Sequence, residues 1–105
     1  MGSTYKIRFF FDAGSGTCFW SGNDAARERF GYFIDPYSLP LDITTRQEVL
    51  DVITAYDEAF NWDDPGSASP IDPTVEVAIN ARSDAMLQRV REQLGEAFDV
   101  VDERS

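Results

Sequence analysis

The sequence contains no histidine, and that absence removes the commonest general base, the commonest metal ligand and the usual switch near neutral pH. Triads of the Ser-His-Asp or Cys-His kind are excluded with it. Cysteine is almost as scarce: Cys18 stands alone and cannot form an intramolecular disulfide, in agreement with a reducing compartment. No apolar run approaches the roughly 20 residues that cross a bilayer, and the N-terminus lacks the positive flank and long apolar segment of a secretory signal. The expected location is therefore the cytoplasm, with no membrane partner. Basic residues are also few, nine Lys and Arg against nineteen Asp and Glu, for a net charge of −10.

What is present suffices for one folded domain spanning residues 1–105. Hydrophobic residues make up 43% of the chain and aromatics 13%, well away from the composition of disordered segments. The length permits one core and not two. The charge is concentrated. Residues 35–72 hold nine acids (Asp35, Asp42, Glu48, Asp51, Asp57, Glu58, Asp63, Asp64, Asp72) and one base, Arg46, so the rest of the chain is close to neutral. Such a field repels DNA, RNA and anionic lipid, which speaks against direct nucleic-acid binding, and it speeds encounter with basic partners.

Along the chain, Tyr5 to Phe11 alternates as a strand, Asp12 to Gly16 supplies turn formers, and Thr17 to Ser21 returns as a second strand, which together predict a hairpin. Asn23 or Asp24 caps a short predicted helix over Ala25 to Phe30, stopped by Gly31. Tyr32 to Leu41, broken by Pro36 and Pro40, reads as an irregular connection. From Thr44 the pattern is helical: Thr45 with Glu48 fits a capping box, Val49, Val52, Ile53, Tyr56 and Phe60 share an arc, and Glu48, Asp51 and Glu58 lie away from it. The helix should stop near Asn61, ahead of the breakers at 63–70. The next segment is ambiguous, since Val75, Val77 and Ile79 alternate like a strand. Val75, Ile79, Met86, Leu87, Val90 and Leu94 nevertheless share a helical arc, with Asp72-Pro73 as a start and Gly95 as a stop. A single helix over 73–94 is the preferred reading; a strand over 74–80 followed by a shorter helix is the alternative. Ala97 to Asp102 closes as a strand. The expected fold class is α+β in the order β-β-α-α-α-β, an N-terminal β-hairpin and a C-terminal strand in one small antiparallel or mixed sheet covered by two amphipathic helices.

Few constellations point to chemistry. Cys18, between Thr17 and Phe19 in a strand, reads as a small core residue. The Asp12–Gly16 turn meets neither phosphate-loop pattern, and Asp63 and Asp64 are neighbours in a loop instead of a carboxylate pair across a cleft. The stretch from Asn61 to Asp72 faintly follows a calcium loop but has Asn at the first position, Pro65 at the fifth and Asp at the twelfth. No catalytic residue, cofactor or metal site is expected. The remaining candidate is a surface: aromatic anchors ringed by charge are how protein interfaces concentrate affinity. Tyr37 and Trp62 are the expected anchors, with Glu48, Asp51, Glu58, Asp63 and Asp64 supplying steering and rim contacts, while Tyr56 and Phe60 read as core.

Three stretches resemble a group of small acidic bacterial proteins of uncharacterised function: K-I-R-F-F-F-D (6–12) with C-x-W after it, A-Y-D-E-A-F-N-W-D-D-P (55–65) and V-R-E-Q-L-G-E-A-F-D-V-V-D-E (90–103). The resemblance implies a final helix that begins well before Arg82 and brings no active site. In size, acidity and lack of catalytic residues the chain is also similar to immunity proteins that neutralise a co-encoded toxin, a likeness of physical character. The expected function is a non-catalytic inhibitor or immunity-type module that offers an acidic surface to a basic protein partner, or one that mimics nucleic-acid charge. Two alternatives stay open: a small-molecule or metal-binding accessory domain, and a homo-oligomer joined through an apolar outer face bearing Phe10 and Phe19.

Overall fold

Alternation in the first strand sets the layers. In the computed structural model, which describes residues 4–60 and 71–104, β1 (Tyr5–Phe9) buries Ile7 and Phe9 completely and turns Lys6 and Arg8 to the opposite face. β2 (Phe19–Ser21) runs antiparallel to it, with Phe9 opposite Phe19 and Arg8 opposite Trp20. β4 (Phe98–Asp102) lies parallel to β1 on its other side, so the sheet is mixed. Between come α1 (Asp24–Phe30), α2 (Ile43–Ala59) and α3 (Pro73–Leu94). The expected α+β class and element order hold, with one addition: β3 (Phe33–Ile34) pairs with β2 and completes the strand order β3-β2-β1-β4. Two residues leave no period to read in a sequence. Backbone bonding demands them, since Ser21 N–H donates to Tyr32 O at 2.9 Å and the Thr17 hydroxyl to Ile34 O at 2.6 Å.

The strand-or-helix ambiguity over 74–80 resolves as one helix. Asp72 accepts from Thr74 N–H at 2.9 Å, Pro73 occupies the first turn, and Ile79, Ser83, Met86, Leu87, Val90 and Leu94 are buried on one arc. Val75 and Val77 are exposed, so the alternating face has nothing to pack on. Gly95 ends the helix with φ 74°, a region closed to most side chains.

Two expectations need correction. α2 begins at Ile43 and not after a Thr45 cap: the Asp42 carboxylate accepts Thr45 N–H at 2.7 Å, and Thr45 itself is buried, its hydroxyl accepting from Gln93 Nε2 at 2.6 Å. Phe19 is not on the outer face. It is cross-strand partner to Phe9, both rings enter the core, and Trp20 takes the outer position.

The core is the inner sheet face under α2 and α3, joined by Ile7, Phe9, Phe19, Val49, Val52, Met86 and Val90. Cys18 is fully buried within it, as a core residue. α1 sits on the same side, its Phe30 ring against Tyr5 and Phe98. Among the described residues no helix packs on the other face, where the Trp20 indole stacks on Phe10 and meets Tyr32 and Phe33. Nor is any helix among them long and apolar enough to cross a membrane.

Candidate partner-binding surface

At about 100° per residue, burying Thr45, Val49, Val52 and Ile53 turns Gln47, Asp51, Thr54 and Glu58 outward on α2. Asp51 and Glu58 are two turns apart, about 10 Å along the axis. Asp51 accepts a hydrogen bond from Gln47 at 2.9 Å, and neither acid joins an ion pair among the described residues. Glu48 lies on the flank facing α3 and pairs with Arg82 at 3.3 Å, so it is set apart from the other two. Other acids of the segment do local work. Asp35, Asp42 and Asp72 cap helices, and Asp57 accepts Gly14 N–H at 3.0 Å to tie the hairpin turn to α2.

Tyr37 stands on the short 3-10 turn Pro36–Ser38 and is 66% exposed. Its ring lies 5.4 Å from the Arg46 guanidinium, which is fixed by donating to Leu39 O at 3.2 Å and Leu41 O at 3.0 Å. Ile43, in the same first turn of α2, is 82% exposed. Sequence reasoning missed it because the helix was begun too late; counted back from Val49, position 43 falls on the outer side. Of the expected site residues, Asp51 and Glu58 share a face, Tyr37 marks the N-terminal end of the same helix, and Glu48 is diverted to Arg82. Trp62, Asp63 and Asp64 lie outside the described residues, as does the calcium-like loop apart from Ile71 and the capping Asp72.

A second feature was not legible beforehand. An open cleft of about 600 Å³ lies where the end of β1 meets α2 and α3. Phe11 leaves the strand and stacks its ring on Tyr56, centroids 4.6 Å apart and planes 11° from parallel. Arg8 lies over Phe10 at 5.2 Å and is paired with Glu103 at 2.8 Å. Arg104 reaches Asp102 at 2.7 Å and also pairs with Asp84. The charges register in the acidities: the hydrogen bond from Arg8 holds Glu103 below the ordinary carboxylate range, and that from Arg104 does the same for Asp102. Burial raises the Tyr56 phenol, helped by the negative charge of Glu76, Asp12 and Asp57.

A family model described as Serratia CdiI immunity protein-like matches residues 5–102. No curated protein matches the chain.

Proposed function

The chain belongs to the Serratia CdiI immunity protein-like family, and from that membership we propose that it is an immunity protein which silences a toxin by binding it. The observation that carries the reading is the match across 98 of the 105 residues, from Tyr5 to Asp102. The outward face of α2 supports a basic docking surface on the toxin. Asp51 and Glu58 are exposed there with no ion-pair partner among the described residues, and Tyr37 and Ile43 offer exposed apolar surface at the same helix's N-terminal end. Negative potential steers a basic partner in, the apolar pair excludes water at contact, and inhibition follows from occupancy alone, without catalysis.

The test is protection in cells. The chain is co-expressed with a candidate toxin taken from its gene neighbourhood, and growth is compared with that of the double variant Asp51→Lys, Glu58→Lys. Protection by the unaltered chain, weakened in the variant, is the expected result. Undiminished protection by the variant would discard the acidic face as the docking surface, and no protection by the unaltered chain would discard the immunity reading.

Self-association is a second reading, favoured by the sheet face that no described helix covers, with its exposed Tyr32 and Phe33. Sedimentation at micromolar concentration decides it: a monomer rules it out.

A further inference from the structure

The cleft at the end of β1 is walled by the rings of Phe10, Phe11 and Tyr56, by two arginines, Arg8 and Arg104, and by two acids, Glu76 and Glu103. Both resident guanidiniums are already matched, Arg8 by Glu103 and Arg104 by Asp102 and Asp84. Glu76, in the first turn of α3, lines the cleft and has no basic partner among the described residues. Asp12 and Asp57 add their charge at the Tyr56 hydroxyl. The volume falls in the range of ligand-holding clefts, roughly 300–1,000 Å³.

Charge and shape together select the occupant. An anion finds Arg8 and Arg104 already taken by carboxylates and faces Glu76, which has no cation among the described residues. An apolar side chain strips water from Glu76 without replacing its hydrogen bonds, and a neutral amide replaces them without supplying charge. An ammonium supplies the charge but not a flat face. A guanidinium does both, because it stacks on rings and grips a carboxylate with two parallel N–H bonds. One of the chain's own arginines already uses a ring face of the cleft, Arg8 over Phe10 at 5.2 Å.

We infer that this cleft receives an arginine side chain of the protein partner, held between the Phe11–Tyr56 stack and the Glu76 carboxylate. The inference rests on the partner-binding reading above and adds the chemistry of one contact, on a different part of the molecule from Asp51 and Glu58.

The test needs no toxin. The isotope-labelled chain is titrated by NMR with N-acetyl-L-arginine amide, then with the lysine counterpart and with the citrulline counterpart, which keeps the shape and loses the charge. Saturable shifts at Phe11, Tyr56 and Glu76 are expected with the arginine compound. Binding about tenfold weaker is expected for citrulline and for Glu76→Gln, the size of one lost charge-assisted contact. Glu76 is exposed and Gln keeps its length, so the variant should fold, which far-UV circular dichroism verifies; Phe11→Leu, with the stacked wall removed, is the second variant and should also weaken binding. Absence of saturable shifts at those residues, equal binding of lysine or citrulline, or indifference to Glu76→Gln each overturns the inference. The Asp51→Lys, Glu58→Lys chain separates the two proposals, because it should bind the arginine compound normally while protecting cells poorly. Protection without arginine binding in the cleft leaves the immunity reading standing and removes only the cleft.

Discussion

Replacing Arg104 by Met tests how the chain's end is fastened to its core. The Arg104 side chain is only 15% exposed and its guanidinium lies 5.1 Å from the ring of the fully buried Phe9. It donates to both oxygens of Asp102, at 2.7 and 3.0 Å, and also to Asp84, with longer contacts to Asn80. Charge-assisted bonds contribute roughly 1.5–3 kcal/mol when both partners are protected. Here Asp84 is 69% and Asp102 35% exposed, so both carboxylates regain water when the arginine goes, and the ionic share falls to about 1 kcal/mol. The contact over a buried ring adds about 1 kcal/mol. Met keeps most of the apolar stem, so a loss of about 2 kcal/mol is expected. At the urea slopes of small proteins, about 1–3 kcal/mol/M, the unfolding midpoint should fall by roughly 0.7–2 M. A double-mutant cycle with Phe9→Leu should return a coupling of about 1 kcal/mol. A loss below about 0.5 kcal/mol, or strict additivity with Phe9→Leu, would show that the guanidinium is a surface ornament and that the ring contact does not couple.

Two further outcomes follow from the acidities. Asp102 is held below its ordinary value chiefly by Arg104, so as pH falls through about 4 the unfolded chain takes up its proton first; the arginine's contribution is present above that range and is lost as the folded-state carboxylate titrates. The gap in urea midpoint between the unaltered chain and Arg104→Met should therefore narrow between pH 5 and pH 3, and a gap that widens on acidification would contradict the assignment. Cys18 is fully buried and desolvation pushes its thiol well above the ordinary range, so a disulfide reagent at pH 8 should modify it only as fast as the chain unfolds, faster in urea and in Arg104→Met; modification within seconds in native buffer would mean the residue is not where the structure puts it.

The helix over 73–94 was legible to the residue at both ends because its punctuation is local: Asp72-Pro73 opens it and Gly95 closes it. α2 was legible in its buried arc but not in its start, since Asp42 and Thr45 are both good caps and only the fold shows that Thr45 is needed inside, against Gln93. Strand facing was harder. A three-residue strand offers two phases of equal apolar content, and the choice between Phe19 and Trp20 is made across the sheet, where Phe19 meets Phe9 and the indole N–H finds Phe10 O at 3.1 Å. The parallel pairing of β4 with β1 joins residues more than ninety positions apart and leaves no local trace. The acidic segment was visible as a count and misleading as a surface. Counting cannot tell Asp42, committed to a cap, or Glu48, committed to Arg82, from Asp51, which faces water. The cleft was invisible for the same reason that it exists: its walls come from β1, α2, α3 and the residues after β4.

Under the two proposals, the surfaces would suit different stages of one encounter. Asp51 and Glu58 stand in water about 10 Å apart, beyond the roughly 8 Å screening length at physiological salt, so each acts almost alone and neither contributes much to a finished complex. The effect proposed for them is on approach, where net charge and an outward helix face bias orientation before contact. Glu76 is placed otherwise. Rings line the same cleft, and a cation entering it exchanges water for fixed aromatic faces, so the contact gains strength only after docking. Under the proposed immunity reading, disarming a partner by occupancy calls for fast capture followed by slow release. The proposed long-range charge sits on the outward face of α2 and the proposed short-range recognition in a cleft to which α2 gives only Tyr56, so Asp51 and Glu58 can be altered without touching the cleft lining.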